Sequence, residues 1–314
     1  MRSFPDQVPG LVYLTEGGPE TEVMYRHGFD LPEFAMFPLL DQPDAVEVVR
    51  AMYAAVLDTA ERHGCAVLLG GLDYRASPDW AGLIGYDPDA LAAMQVRAIE
   101  FLREVSDPYR DRLPDVRIAG IVGPRGDAYQ VNPTVTADES AEYHAVQLTT
   151  LASVGVDLVE AMTFNNVDEA VGLARAASAV GLPLSVSFVL DSDHKLNGGP
   201  SLKEAIETVD AEAGADRPAF YGINCSHPFE FLPAIEPGAW FSRIRCLRPN
   251  AAAADKISLC TLGHLEEGDP VELGSLMGQL AADYPHIDIW GGCCGTWDEH
   301  LDEIARNVAV ARAS

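Results

Sequence analysis

Apolar residues along this chain fall into short runs that alternate with longer stretches of helical period. Leu11-Val12-Tyr13-Leu14 is the first run, and it ends at an acidic, glycine-rich turn, Glu16-Gly17-Gly18. The stretch 45–63 follows, with Val46, Val49, Tyr53, Val56 and Leu57 spaced along one helix face. Ala66-Val67-Leu68-Leu69 then leads into Gly70-Gly71. The alternation continues with a helix over 90–105, a strand over 117–122 ending at Gly123-Pro124, and a helix over 140–153. A strand at Val156-Asp157-Leu158-Val159, a helix over 167–180 and a strand over 184–189 come next. Residues 201–213 read as helix and 219–223 as strand. Residues 229–248, rich in aromatics, Pro and Arg, read as partly irregular. A strand over 256–259, a helix over 270–283, a strand over 287–290 and a closing helix over 299–312 complete the pattern.

Eight strand-like runs alternating with helices argue for parallel βαβ units. Eight such units in 314 residues match a single-domain α/β (β/α)8 TIM barrel spanning 1–314. A doubly wound open sheet is the alternative, since both architectures bury their strands on two faces. No G-x-G-x-x-G follows the first strand, which weakens the dinucleotide-binding version of that sheet. The unusual residues cluster just after strands, where barrel enzymes carry their chemistry.

The densest of these clusters is Gly291-Gly292-Cys293-Cys294-Gly295-Thr296 after the last strand, with Asn224-Cys225 after the sixth. Two adjacent cysteines framed by glycines present two thiolates to one metal ion. Cys225 would make a three-sulfur set with one coordination position open, the arrangement of catalytic rather than structural zinc. On a barrel the sixth and eighth strand ends share one rim with a single strand between them. Cys65 and Cys246 have no such partners and read as packed thiols. Cys260, at the end of the run over 256–259, is placed near the metal but as a packed thiol too. His227, two residues after Cys225, and His264 are loop histidines for which a role beside the metal and none at all are both open.

Charge narrows the partners. The chain has 48 acidic and 21 basic residues, a net charge of −27. That field disfavours nucleic acid and anionic membrane surfaces. No window has the apolar length of a membrane span, and residues 1–10 lack the basic start and apolar run of a secretory leader. A cytoplasmic protein is expected, where clustered cysteines point to metal or catalysis rather than disulfides.

Gly222-Ile223-Asn224-Cys225 together with Gly291–Thr296 resembles the homocysteine S-methyltransferase family. Weaker matches run through the chain: Glu16-Gly17-Gly18, Val122-Gly123-Pro124 with Gly126, and Gly155-Val156-Asp157-Leu158. The resemblance implies a (β/α)8 barrel with Zn2+ held by Cys225, Cys293 and Cys294. It implies methyl transfer from a small-molecule donor to a small-molecule thiol acceptor, homocysteine or a relative. Glu16, Gly17, Gly18, Glu160, Met162, Thr163 and Asn224 then become the candidate substrate-binding residues.

Two departures bear on the acceptor. Glu16 stands where the family has Asp. Met162-Thr163 stands where the family has Glu-Thr, whose Glu helps hold the amino group of homocysteine. Glu160, two residues earlier on the same strand face, or Glu16 would have to compensate, because burying an ammonium without a carboxylate is costly. The alternatives are a zinc barrel with an altered acceptor, a hydrolase, or a thiol sensor. Glu20 and Glu22 read as solvated helix-start acids favoured by the helix dipole. Asp73-Tyr74-Arg75 and Arg125-Gly126-Asp127 follow strands and are candidates for shaping the donor pocket.

Overall fold

The computed structural model describes residues 4–130, 135–197, 199–253 and 264–313. Eight strands close into a barrel in sequence order, with every adjacent pair parallel and β1 pairing with β8 to shut it. They are β1 Tyr13–Leu14, β2 Ala66–Leu69, β3 Val116–Val122, β4 Leu158–Phe164, β5 Leu184–Phe188, β6 Phe220–Asn224, β7 Ile244–Arg248 and β8 Ile289–Trp290. Closure rules out the open sheet. Around them lie helices α1 Pro19–Tyr25, α2 Pro43–His63, α3 Pro78–Leu83, α4 Pro88–Ser106 and α5 Ala137–Val154. The second half contributes α6 Val167–Ala179, α7 Leu202–Ala213, α8 Pro228–Phe231, α9 Pro270–Asp283 and α10 Asp298–Ala313. Among the described residues, no helix is long and apolar enough to cross a membrane.

Local chemistry sets the helix limits. Thr136 and Ser201 start α5 and α7 with reciprocal capping boxes to Glu139 and Glu204. Gly64 ends α2 in the left-handed conformation at φ 69°. The long helices bury one face on the outside of the barrel, as their sequence spacing predicted.

One strand lies elsewhere than the pattern suggested. The seventh is Ile244–Arg248, inside the segment read as partly irregular. The run over 256–259, with Cys260, lies outside the described residues, and its assignment as the seventh strand is displaced. The misreading has a physical origin: Ile-Arg-Cys-Leu-Arg carries two cations in five residues, which looks like surface. Both arginines are instead buried with partners. Arg245 makes a two-point contact with Asp288, at 2.9 and 2.7 Å. Arg248 is 3% exposed and reaches into the barrel.

Strand alternation divides the core in two. Val159, Ala161, Ile223 and Leu247 point out to the helix layer. Leu158, Met162, Phe220 and Cys246 point in and fill the barrel with Leu68, Ala119 and Ile289. Glu160 shares the inward phase with Leu158 and Met162, and Arg248 shares it with Cys246. Above the apolar fill, the barrel therefore carries a charged layer. The Arg248 guanidinium donates to Glu16 Oε1 at 2.6 Å and lies 3.6 Å from Glu160 Oε2. Its Nε donates to the Gly292 carbonyl at 3.1 Å. Glu16 also accepts from the Gly70 amide at 3.1 Å.

Burial holds the Glu160 carboxyl up to about 7, a rise that Arg248 opposes and Glu16 reinforces. One arginine thus faces two carboxylates, and a proton on Glu160 relieves the excess negative charge. Two outcomes are expected. Arg248→Met leaves two buried carboxylates without a counter-charge and should cost about 3–5 kcal/mol of stability in urea unfolding. A loss below about 1 kcal/mol would show that the charges are not coupled as described. Separately, Glu160 keeps a proton in the folded state that the unfolded chain releases above its ordinary value of 4.5. Its contribution to stability therefore falls as pH rises from there to about 7. Glu160→Gln should flatten that part of the stability–pH curve, and an unchanged slope would contradict the assignment.

Candidate metal centre and acceptor cavity

The rim at the C-terminal ends of the strands brings Cys225, Cys293 and Cys294 together. Their sulfurs all lie within 4.8 Å of one another. Cys225 follows β6 and the pair follows β8, with β7 between, as the barrel reading required. Cys225 and Cys293 are paired as a disulfide, with Cα atoms 5.4 Å apart. Cys294 Sγ sits 3.9 Å from Cys225 Sγ. Metal ligands must be thiolates, so the form that takes a metal is the reduced one. Zn–S bonds of about 2.3 Å in a tetrahedron put sulfurs about 3.8 Å apart. The cluster fits that demand in donor type and number, and Cys225 and Cys294, at 3.9 Å, fit it in spacing; the Cys225 and Cys293 sulfurs reach it once their disulfide is reduced. No histidine joins it among the described residues.

Backbone contacts build the cluster. The Cys225 amide donates to the Arg248 carbonyl at 3.1 Å, the Cys293 amide to Pro249 at 2.8 Å, and the Ala251 amide to Cys294 at 3.0 Å. The segment after β7 therefore laces the two cysteine loops together. Gly17 and Gly18 press against the motif: a Cβ on Gly17 would run into the Thr296 carbonyl, and one on Gly18 into the Cys293 carbonyl. Thr296 closes the turn from within, its hydroxyl donating to the Cys293 carbonyl at 2.7 Å.

Asn224 joins this rim to β4. Its Oδ1 accepts from the Thr163 amide at 2.8 Å, and its Nδ2 donates to Thr163 Oγ1 at 3.0 Å. The same Nδ2 lies 3.8 Å from Cys293 Sγ. Thr163 and Cys225 both hold positive φ, 66° and 51°, where non-glycine residues are strained. Thr163 sits at the irregularity in the β4–β5 register, and a bulge of this kind re-aims side chains at a rim.

Beside the cysteines opens a cavity of about 340 Å³. Glu16, Gly17, Gly18, Met162, Thr163 and Asn224 all line it, together with the three cysteines. Glu160 does not: it is fully buried in the charged layer below, with no hydrogen-bond partner for either oxygen. The sequence expectation that Glu160 could face an acceptor is thus replaced by a role in the barrel interior. Glu16 lines the cavity but spends its oxygens on Arg248 and the Gly70 amide.

Several lining residues escaped the sequence reading. Arg248 was hidden in the segment read as irregular; Pro249 directly after Ile-Arg-Cys-Leu-Arg was its available signal, a break closing a short strand. Asn250 supports the rim by donating to the Cys225 carbonyl at 3.1 Å. Glu20 and Glu22 were read alike as solvated. Two apart on α1, they must point to different sides. Glu20 lines the cavity, and burial raises its carboxyl to about 7. Glu22 turns away toward Arg26, at 3.8 Å. Tyr74, Arg75 and Asp127, which the sequence offers as candidates for a donor pocket, line this cavity as well. His227 caps α8, its Nδ1 accepting from the Phe229 amide at 3.3 Å. His264 is exposed and pairs with Glu266 at 2.8 Å.

Comparison with known proteins agrees with this arrangement. The profile of the family described as homocysteine S-methyltransferase matches residues 14–308. Homocysteine S-methyltransferase of Escherichia coli (strain K12) is 24% identical over 228 residues, 68% of this chain and 69% of its own length. Homocysteine S-methyltransferase 2 of Arabidopsis thaliana is 24% identical over 252 residues, 73% of this chain and 72% of its own. Among solved structures, the metallated form of the homocysteine methyltransferase MmuM from Escherichia coli matches the fold with a TM-score of 0.69. That match, at 19% identity, covers 94% of this chain and 96% of the other. With a profile that spans both cysteine motifs and nearly every strand, this chain belongs to the homocysteine S-methyltransferase family and is an S-methyltransferase.

Proposed function

We propose that this protein transfers a methyl group from a small methyl donor to the sulfur of homocysteine or a related thiol, or to the selenium of a selenol. The observation that carries the reading is the convergence of three cysteine sulfurs in the wall of one cavity. Cys225, Cys293 and Cys294 would hold a zinc ion, whose chemistry is to keep a bound thiol deprotonated at neutral pH. Homocysteine in the names of the relatives supports that acceptor, whose methylation yields methionine.

The chain's own residues do the remaining work. Three cysteine thiolates give the rim net negative charge, which favours a nucleophilic sulfur beside it. The Asn224 amide group, fixed by Thr163, is aimed at Cys293 and holds the rim against β4. Met162 and Ile121 supply apolar wall, and Tyr74 stands beside Thr163, its hydroxyl kept protonated by burial. Such walls exclude water from a reacting sulfur. The volume, about 340 Å³, lies near the lower end of small-ligand pockets, roughly 300–1,000 Å³. It suits small molecules, and the net charge of −27 argues against nucleic acid. A reducing, cytoplasmic setting would keep Cys225 and Cys293 available as thiols.

Two measurements test the reading. Cys294→Ala is expected to lose stoichiometric zinc when the reduced protein is examined by elemental analysis. Full zinc content in that variant would remove the three-sulfur assignment. Gly17→Ala, which changes no ligand, should also lower zinc content, because the new methyl displaces the Thr296 carbonyl and with it the cysteine turn. Zinc retained at the unaltered level would mean that the turn is not set by this contact.

A further inference from the structure

The cavity wall raises a question of charge. An α-amino-acid thiol carries an ammonium and a carboxylate, and each needs a partner away from water. The carboxylates considered from the sequence do not supply one. Glu16 already accepts from Arg248 and Gly70, and Glu160 lies beneath the cavity without lining it. Met162, on the wall, is apolar.

Glu20 and Arg75 line the same cavity as Cys293 and Cys294. Glu20 has no ion-pair partner among the described residues, and burial raises its carboxyl to about 7. Arg75 is 8% exposed and preorganised. Its guanidinium stacks 4.0 Å from the Trp80 ring and 5.1 Å from Tyr74, and Nη1 donates to the Gly126 carbonyl at 3.1 Å. No carboxylate lies within 4.0 Å of it among the described residues, and its buried Nε has no partner. Asp127, the remaining acid on the wall, turns an oxygen to the Tyr129 amide at 2.7 Å. Arg248 and, less strongly, Arg75 are near enough to draw the Glu20 proton affinity down, yet among the described residues neither forms an ion pair with it. An anion receptor and an unmatched carboxylate therefore flank one space.

We infer that Glu20 and Arg75 read the zwitterionic head of the acceptor, Glu20 taking the ammonium and Arg75 the carboxylate, while the thiol reaches the cysteine rim. The pair replaces the strand-four carboxylate that Met162 removes, and it makes the acceptor an α-amino-acid thiol. This rests on the thiol-transfer reading above. The two residues set specificity and touch no reacting atom.

Calorimetric binding to the reduced, zinc-loaded protein tests the pair with three probes. These are homocysteine, γ-mercaptobutyrate, which lacks the amino group, and mercaptopropylamine, which lacks the carboxylate. The unaltered protein should bind homocysteine about tenfold or more tighter than either analogue, the scale of one charge-assisted hydrogen bond. Glu20→Gln should bring homocysteine down to the level of γ-mercaptobutyrate and leave γ-mercaptobutyrate unchanged. Arg75→Gln should weaken both carboxylates and spare mercaptopropylamine, and Arg75→Lys should restore part of the loss. Equal affinity of the unaltered protein for all three probes would overturn the inference without any variant, as would variants that weaken all three alike. Absence of binding by every thiol would instead overturn the thiol-transfer reading itself.

Discussion

A buried guanidinium ties the working face of this barrel together. Arg248, at the end of β7, bonds the Glu16 side chain after β1 and the Gly292 carbonyl after β8, and faces Glu160 on β4. Strand ends that are far apart in sequence are thereby held to one centre. The same contact spends the negative charge of Glu16. Buried charges are tolerated only with partners, so a cation in this position dictates where acids can act. Glu16 becomes structure, and a carboxylate for a ligand must come from another element.

Backbone strain is found on the same face. Thr163 and Cys225 hold positive φ within hydrogen-bonding reach of Asn224 or beside it in the chain. A β-branched residue in that conformation persists only when its surroundings over-determine it. Asn224 does so, by accepting from the Thr163 amide and donating to its hydroxyl. The side chain that fixes the strained turn is also the one aimed at Cys293. One amide group thus contributes both to rigidity at the rim and to the position of the sulfur.

The fold and the cysteine cluster were legible in the sequence because both are written in spacing. Alternating runs give the barrel, and Asn224-Cys225 with Gly291–Thr296 gives a rim. Seven of the eight strands fall on or beside the runs that predicted them. The seventh did not, because Arg245 and Arg248 look solvent-facing until Asp288 and Glu16 are known to meet them. Such pairings join residues more than forty positions apart, and no local pattern encodes them. Glu20 was hidden for a related reason. An acid in a first helical turn is explained by the dipole alone, so only the closed barrel distinguishes the acid that faces a cavity from its neighbour that faces Arg26.

The contrast between rim and wall explains how such a site can change its ligand and keep its chemistry. The cysteine turns are positioned by backbone groups: Gly17 and Gly18 against the carbonyls of Thr296 and Cys293, and Pro249 against the Cys293 amide. These contacts demand glycine at two positions, and beyond Asn224, Asn250 and Thr296 they draw on backbone rather than side chains. The wall is made of side chains, and Met162, Glu20 and Arg75 can vary there without moving a sulfur. A carboxylate lost at the end of β4 can therefore be regained from α1, which lines the same cavity. What cannot vary freely is the charge balance beneath. Arg248 with Glu16 and Glu160 leaves one carboxylate in excess, and the proton that Glu160 retains is the least costly way to bury it.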